Sequence, residues 1–370
     1  MKALCNRAAM FEAVQLASSI VPARTPKPIL RCAKIEADRE EKKITVTATD
    51  NEITIKYVIP QVQVDQSGIA VVPADRITAI LRETLDETIS LELSDSTLNI
   101  IGKDARFRIY GDDPEDFPAM LIPQCEGTFV VNAAELKTMV HMTAFAAARE
   151  STRYAINGVL WEIKGKKTRL VATDGRRLAL ADGHITGADV ETEKTAIIPV
   201  KMMQIIERML HDPEEKIQVC FTDNHVLLTS ALVEISGNQV QGRFPKYDDV
   251  IPKDNDKKLQ IAVDDFQSAV RRVALLTNEQ TKGILMSLSQ DRLCLSSSTP
   301  EAGDAEVTLP VEYRGEEIEI GFNPGYLLDM LRALHEQADE IVCELSTPQK
   351  PGLIRVTKNF LYVLMPVTIK

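Results

Sequence analysis

Apolar and polar residues follow two different periods along this chain, and the switch between them recurs three times. Runs of period two, ITVTATDNEITIKY at 44–57 and TRLVATDGRRLALA at 168–181, read as pairs of strands joined by a turn. Asp50 and Asp174 hold matching places in the two turns, 124 residues apart. A weaker third copy is LCLSSSTPEAGDAEVTL at 293–309. Apolar residues spaced three and four apart predict helices over 7–18, 75–83, 134–149, 200–210, 264–276 and 324–335. Three of these follow a short strand and a proline: IAVVPADRITAIL, TAIIPVKMMQIIERML and EIGFNPGYLLDMLRAL. Pro73, Pro199 and Pro324 are 126 and 125 residues apart, and proline suits a helix's first turn, where its missing N–H costs nothing.

DFPAMLIP closes the first unit at Pro123 and RFPKYDDVIP closes the second at Pro252, with QCEG and KDNDKK as linkers. A period near 125 is too long for a solenoid repeat and suits a domain. The pattern therefore predicts an α+β protein of three similar domains, at 1–124, 125–254 and 255–370. Each has two helices packed on one face of antiparallel sheets.

Composition narrows the class. The 370 residues are 44% hydrophobic and 26% charged, the balance of a folded protein. No apolar run reaches the roughly 18 residues of a membrane span, and MKALCNRAAMFEA lacks a signal peptide's apolar core, so a cytoplasmic protein is expected. The six cysteines, at 5, 32, 125, 220, 294 and 343, form no CxxC pair, and the five histidines are scattered. The expectation is reduced, mostly buried thiols, with no disulfide framework and no metal site.

No phosphate-binding glycine loop, GxSxG or HExxH occurs. Thr173-Asp174-Gly175-Arg176-Arg177 could be a base beside two anion clamps, but the matching Thr49-Asp50-Asn51 favours a tight turn. The net charge of −11 argues only weakly against nucleic acid, because a local basic surface can coexist with an acidic exterior. The six helical windows carry ten bases against eight acids, so the acidity lies elsewhere. The stretch FLYVLMPVTIK is apolar beyond what a strand interrupted by Pro366 explains, and could line a surface groove.

Together the three repeats, TDGRRLA, GRFPKYDDVIP, GFNPGYLLDML and YVLMPV resemble the bacterial DNA polymerase III beta subunits, the sliding clamps, over the whole chain in order. The resemblance implies a DNA clamp fold and a head-to-tail homodimeric ring around duplex DNA. It implies no catalytic activity, no cofactor and no metal. Replicative polymerase, clamp loader and repair proteins would bind through short apolar-aromatic peptides.

The DNA-facing bases would be Arg24, Arg76, Arg82, Lys137, Arg149, Lys201, Arg208, Arg271 and Arg272. The peptide pocket would take Arg153, Tyr154, Ile156, Thr173, Gly175, Arg176, Arg177, Leu178, Pro245, Val250, Asn323, Tyr326, Val363, Met365, Pro366 and Val367. An edge strand bearing Phe107 and Ile109 would meet Leu275 and Leu276 of a second copy. Arg176, Ala155 and the acidic pair Asp248-Asp249 depart from the residues frequent in the family, which bears on pocket preference. Two other classes stay open: an interaction scaffold unrelated to DNA, and an enzyme using Asp174, Arg176 and Arg177.

Overall fold

The computed structural model describes residues 1–22, 24–119, 125, 128–150, 155–187, 193–277, 283–300, 303–357 and 359–369. Among these, six α-helices occur: α1 (Arg7–Ser18), α2 (Ala74–Glu83), α3 (Ala133–Thr143), α4 (Val200–Met209), α5 (Val263–Ala274) and α6 (Pro324–Leu334). The windows read from periodicity fall on these six, except that α3 is shorter than expected. Its last residue, Thr143, donates its hydroxyl to Met139 O at 2.7 Å, and a 3-10 turn, Ala144–Ala146, follows.

The chain forms two compact units. The first comprises Met1–Ala134, Ile185–Ala188 and Lys201–Gln239. It holds a five-stranded sheet ordered Gln63–Gln66, Lys2–Asn6, Thr88–Ser94, Thr97–Ile101, Arg106–Tyr110. Its eight-stranded sheet runs Phe129–Asn132, Lys216–Phe221, His225–Thr229, Val233–Asn238, Ile53–Ile59, Lys43–Thr49, Cys32–Asp38, Gly68–Pro73. Helix α1 buries Met10, Ala13, Val14 and Ala17 completely and lies against strands Lys43–Thr49 and Ile53–Ile59. It packs on α2, where the Ser18 hydroxyl shares a 2.7 Å hydrogen bond with that of Thr78.

The second unit comprises Glu135–His184, Asp189–Val200 and Val240–Lys370. Its eight-stranded sheet runs Glu193–Pro199, Gly158–Lys164, Lys167–Thr173, Arg177–His184, Phe360–Leu364, Gly352–Thr357, Glu340–Leu345, Lys257–Ala262. A four-stranded sheet runs Gly303–Pro310, Arg292–Thr299, Ile284–Ser289, Ile318–Phe322. Helix α5 packs on α6 and against the first two strands of that smaller sheet.

Each eight-stranded sheet joins four strands of one repeat to four of the next, and the joins are alike. Val233–Asn238 pairs antiparallel with Ile53–Ile59, with Ile235 opposite Ile55. Phe360–Leu364 pairs antiparallel with Arg177–His184, with Tyr362 opposite Ala179. The repeats also close alike. Asp112 N–H donates to Val71 O at 2.9 Å, Val240 N–H to Ile197 O at 2.8 Å, and Val367 N–H to Gly321 O at 2.8 Å.

The thiols depart from expectation. Cys125 and Cys220 form a disulfide across 95 residues of chain, whereas reduced thiols throughout were expected. The pairing could not be read from spacing, because only the fold brings the two Cα atoms to 6.1 Å, within bridging range. Cys5, Cys32 and Cys343 are free and buried, and Cys294 is free and half-buried.

Candidate peptide-binding pocket

The turn read as a tight turn has that geometry. Thr173 donates its hydroxyl to Arg177 O at 2.6 Å and accepts from Gly175 N–H at 3.1 Å. Asp174 Oδ1 accepts from the N–H groups of Arg176 and Arg177, at 2.9 and 3.0 Å. Gly175 has φ of +85°, the left-handed region that glycine enters without strain. The first repeat makes the same set of bonds. Thr49 donates to Ile53 O, and Asp50 Oδ1 accepts from Glu52 and Ile53 N–H. Asn51 holds the positive φ there, at 74°. Asp174 is thus occupied as a turn former.

Arg177, the last residue of that turn, is buried and fully engaged. Its guanidinium donates to Asp174 Oδ2 at 3.1 Å, Asp329 Oδ2 at 2.8 Å and Phe145 O at 2.9 Å. It stacks over the Tyr326 ring, 4.5 Å from the centroid. Burial works against its charge, but Tyr362, Asp329 and Asp174 outweigh that, and its pKa is raised.

Above Arg177 opens a cavity of about 200 Å³, lined by Ile156, Thr173, Gly175, Arg177, Leu178, Pro245, Lys246, Tyr247, Val250, Val363 and Met365. Its floor is a buried cluster that includes Val171, Leu180, Ile197 and Leu353. One wall is the 3-10 turn Tyr247–Val250. Tyr247 donates its hydroxyl to Glu162 and accepts from Arg169 at 3.4 Å, and Arg169 grips Asp182 with two bonds, of 2.6 and 3.0 Å. Burial, reinforced by Glu162, raises the Tyr247 pKa, so this ring stays a neutral, fixed surface. On the opposite side, Met365 N–H donates to Arg176 O at 2.9 Å, which leaves the Met365 side chain 40% exposed. An apolar bowl with cationic Arg176 and Lys246 exposed beside it suits an apolar or aromatic side chain with an anionic neighbour.

Nine residues expected at a pocket line this cavity, and Tyr247 and Lys246 were missed. Tyr247 sits inside GRFPKYDDV, so an aromatic residue in a segment already assigned to the pocket was the available signal. Arg176, Asn323, Tyr326, Pro366 and Val367 do not line it. Asn323 caps α6, accepting from Gly325 N–H at 2.9 Å. Tyr326 lies under Arg177, and Val367 is bound at Gly321. Arg153 and Tyr154 lie outside the described residues.

Of the bases expected to face DNA, Arg24, Arg76, Arg82, Lys137, Arg149, Arg208, Arg271 and Arg272 are exposed. Lys201 has protein partners. Its ammonium donates to Ile20 O at 2.7 Å and Asp50 Oδ2 at 2.6 Å, so it is engaged by the protein although its side chain stays partly exposed. On the edge strand Arg106–Tyr110, Phe107 is half-buried, while Ile109 points inward and is only 4% exposed. That inward side chain corrects its expected place at an interface, whereas the neighbouring Tyr110 is 77% exposed. Leu275 is 81% exposed and Leu276 half-buried.

Repeated helix pairs on antiparallel sheets, with an apolar pocket beside the strand joining two repeats, define a DNA clamp. Family models of the DNA polymerase III beta subunit match throughout: the N-terminal domain over residues 1–121, the central domain over 130–246 and the C-terminal domain over 248–368. The beta sliding clamp of Escherichia coli K12 is 30% identical over 370 residues, covering all of both chains. That of Vibrio cholerae is 31% identical, again covering all of both. The solved Pseudomonas aeruginosa sliding clamp bound to griselimycin superposes with a TM-score of 0.92 at 27% identity, and the Bartonella birtlesii clamp bound to griselimycin with 0.91 at 31%; both cover all of each chain.

The chain belongs to the DNA polymerase III beta subunit family. Its function is that of the family, a non-enzymatic processivity clamp of DNA replication. The family implies DNA, polymerase and a second copy of the chain as partners in general. Among the described residues no helix is long and apolar enough to cross a membrane.

Proposed function

We propose that two copies of this chain close head to tail into a cytoplasmic ring around duplex DNA. Each copy contributes three domains, 1–124, 125–254 and 255–370. The supporting observation is the register of the repeats. The two joins inside the chain each pair the last strand of one repeat with the fourth strand of its neighbour. Two strands of these classes end their sheets: Arg106–Tyr110 in the five-stranded sheet and Gly303–Pro310 in the four-stranded sheet.

Carrying the same register across two copies puts Phe107 opposite the partner copy's Ala305. It also puts Arg106 opposite Glu306 and Arg108 opposite Asp304. Cross-strand pairs of opposite charge favour that alignment, and closure removes both exposed edges.

Within the ring, the exposed helical bases attract DNA diffusely, and closure rather than tight ion pairing retains it. The pocket takes short apolar-aromatic peptides carried by polymerase, clamp loader and repair proteins. Burial of two or three side chains supplies about 1.5–3 kcal/mol each, less the cost of ordering the peptide. Griselimycin, bound by the two relatives above, is expected to bind here and to compete with such peptides.

Retention on DNA tests the ring. The protein is loaded onto nicked circular duplex with its cognate loader and ATP, washed at high salt, and the circle is then cut. Retention before cutting and release afterwards supports the topological link. Loss during the wash, with a loader proven on another clamp, overturns it.

A further inference from the structure

The segment that follows Phe360–Leu364 is fixed at two points. Met365 N–H is bound by Arg176 O at 2.9 Å and Val367 N–H by Gly321 O at 2.8 Å. Pro366, which has no N–H and a fixed φ, stands between them.

The second point is built differently from its two counterparts. Val71 and Ile197 occupy that acceptor position in the first and second repeats. Val71 shares a buried cluster with Phe117, and Ile197 with Phe244, the phenylalanines of the two closing motifs. The third repeat has glycine there, and Ile369 crosses it. A Cβ on Gly321 would stand 2.4 Å from Val367 O and 2.9 Å from Ile369 Cγ1 and Cδ1. Gly283 clears the same side: its Cβ would lie 3.1 Å from Val367 Cγ2 and 3.2 Å from Ile369 Cγ1. In the first two repeats a phenylalanine shares a core with an aliphatic residue. Here an isoleucine rests on bare backbone.

We propose that Ile369, seated on Gly321 and Gly283, anchors a strap that holds Met365 as a wall of the pocket and thereby sets its affinity for peptide. Ile369 touches no peptide in this scheme and acts as a positioning residue. The inference rests on the pocket reading, and the test separates the two.

A fluorescein-labelled pentapeptide ending in Leu-Phe is titrated by fluorescence anisotropy against the wild-type protein, Ile369→Asp, Ile369→Val and Gly321→Ala. Hydrogen exchange at the Val367 amide is followed in the same free proteins. Ile369→Asp should weaken binding by about tenfold and speed Val367 exchange, with the melting temperature unchanged. Ile369→Val should bind within about twofold of wild type. Gly321→Ala should follow Ile369→Asp. Because Gly321 is a tight site, Ile369→Asp, at a residue 38% exposed, keeps the test independent of folding. Faster exchange with unchanged affinity, or unchanged exchange, overturns the strap. Failure of the wild type to bind the peptide overturns the pocket reading instead, while the exchange arm still decides whether Ile369 anchors the segment.

Discussion

Arg177 Nη1 reaches Asp329 Oδ2 at 2.8 Å across 152 residues of sequence, and this contact fixes the turn that floors the pocket to helix α6. Asp329 also accepts from Arg332 at 3.0 Å, while Arg177 is held at the cavity by Asp174 Oδ2 and Phe145 O as well. Removing one partner of a buried pair leaves the others uncompensated, which is why such pairs matter more when broken than when made.

Arg177→Ala is therefore expected to cost about 3 kcal/mol, toward the lower end for buried pairs because Asp329 keeps some contact with water. Asp329→Asn should cost less, about 1 kcal/mol, because the amide can still accept from Arg177. Arg177→Lys should resemble the alanine variant, since one ammonium cannot reproduce a fork that bonds Asp174, Asp329 and Phe145 O at once. Urea unfolding of the three variants decides this. Equal losses for Asp329→Asn and Arg177→Ala would mean that the amide does not substitute for the carboxylate and that the charge carries the whole pair.

The inferred register between copies makes a sharper prediction. Arg108→Glu should weaken self-association at least tenfold by facing Glu with the partner copy's Asp304. Asp304→Arg alone should do the same, and the two together should restore the dimer. Glu306 is less suitable for this test because it already pairs with Arg292 of its own sheet, at 3.1 Å. Sedimentation equilibrium reads the outcome. If the double variant stays as weak as the singles, the two strands do not meet in this register.

Much of this was legible in the sequence because it repeats. Pro73, Pro199 and Pro324 mark helix starts, or the residue before them, in all three copies. The turns at Asp50 and Asp174 announce themselves through local hydrogen-bonding residue types. What escaped depends on distant partners. Lys201 reads as a helix-surface base until the fold brings it to Asp50 and Ile20 O. Ile109 and Tyr110 differ in exposure only through the pleat of a strand whose phase a five-residue motif does not set. The Cys125–Cys220 pair lacks any spacing signal, since its ends are separated by 95 positions of sequence.

That disulfide should be detectable and consequential. Mass spectrometry of alkylated, unreduced protein should show four modified cysteines, rising to six after reduction. Closing a 95-residue loop restricts the unfolded chain, so Cys220→Ser should lower stability by about 3 kcal/mol. Dithiothreitol should reproduce that loss in the wild type and leave the variant unaffected. Six alkylated cysteines without reduction would sink the assignment.

The free thiols predict a pH dependence of a definite sign. Burial pushes Cys5 up to about 12, and burial with the carboxylate of Asp112 does the same for Cys32, from an ordinary 9.0. The folded state thus holds these protons more tightly than the unfolded state. Their contribution is fully present below pH 9 and is lost as pH climbs from 9 toward about 12. Each thiol should cost about 1.4 kcal/mol per pH unit in that window. Denaturant melts at pH 8, 9 and 10 test this, with Cys5→Ala and Cys32→Ala expected to flatten the slope. A slope unchanged in both variants would assign the effect to other groups.

The exposed helical bases and the bound one should separate in their salt dependence. Arg271 and Arg272 are exposed near the end of α5, whereas the Lys201 ammonium is spent on Asp50 and Ile20 O. Each phosphate contact contributes about 0.9 to the slope of log affinity against log salt concentration. Arg271→Gln with Arg272→Gln should lower that slope by about 2 if both meet phosphate. Lys201→Met should leave the slope unchanged and instead lower stability by about 1 kcal/mol, as expected for a partly exposed ion pair with a carbonyl contact. Anisotropy of labelled linear duplex measures the slopes and thermal melts the stability. A fall in slope for Lys201→Met equal to that of a single arginine variant would mean that its ammonium leaves Asp50 to meet DNA.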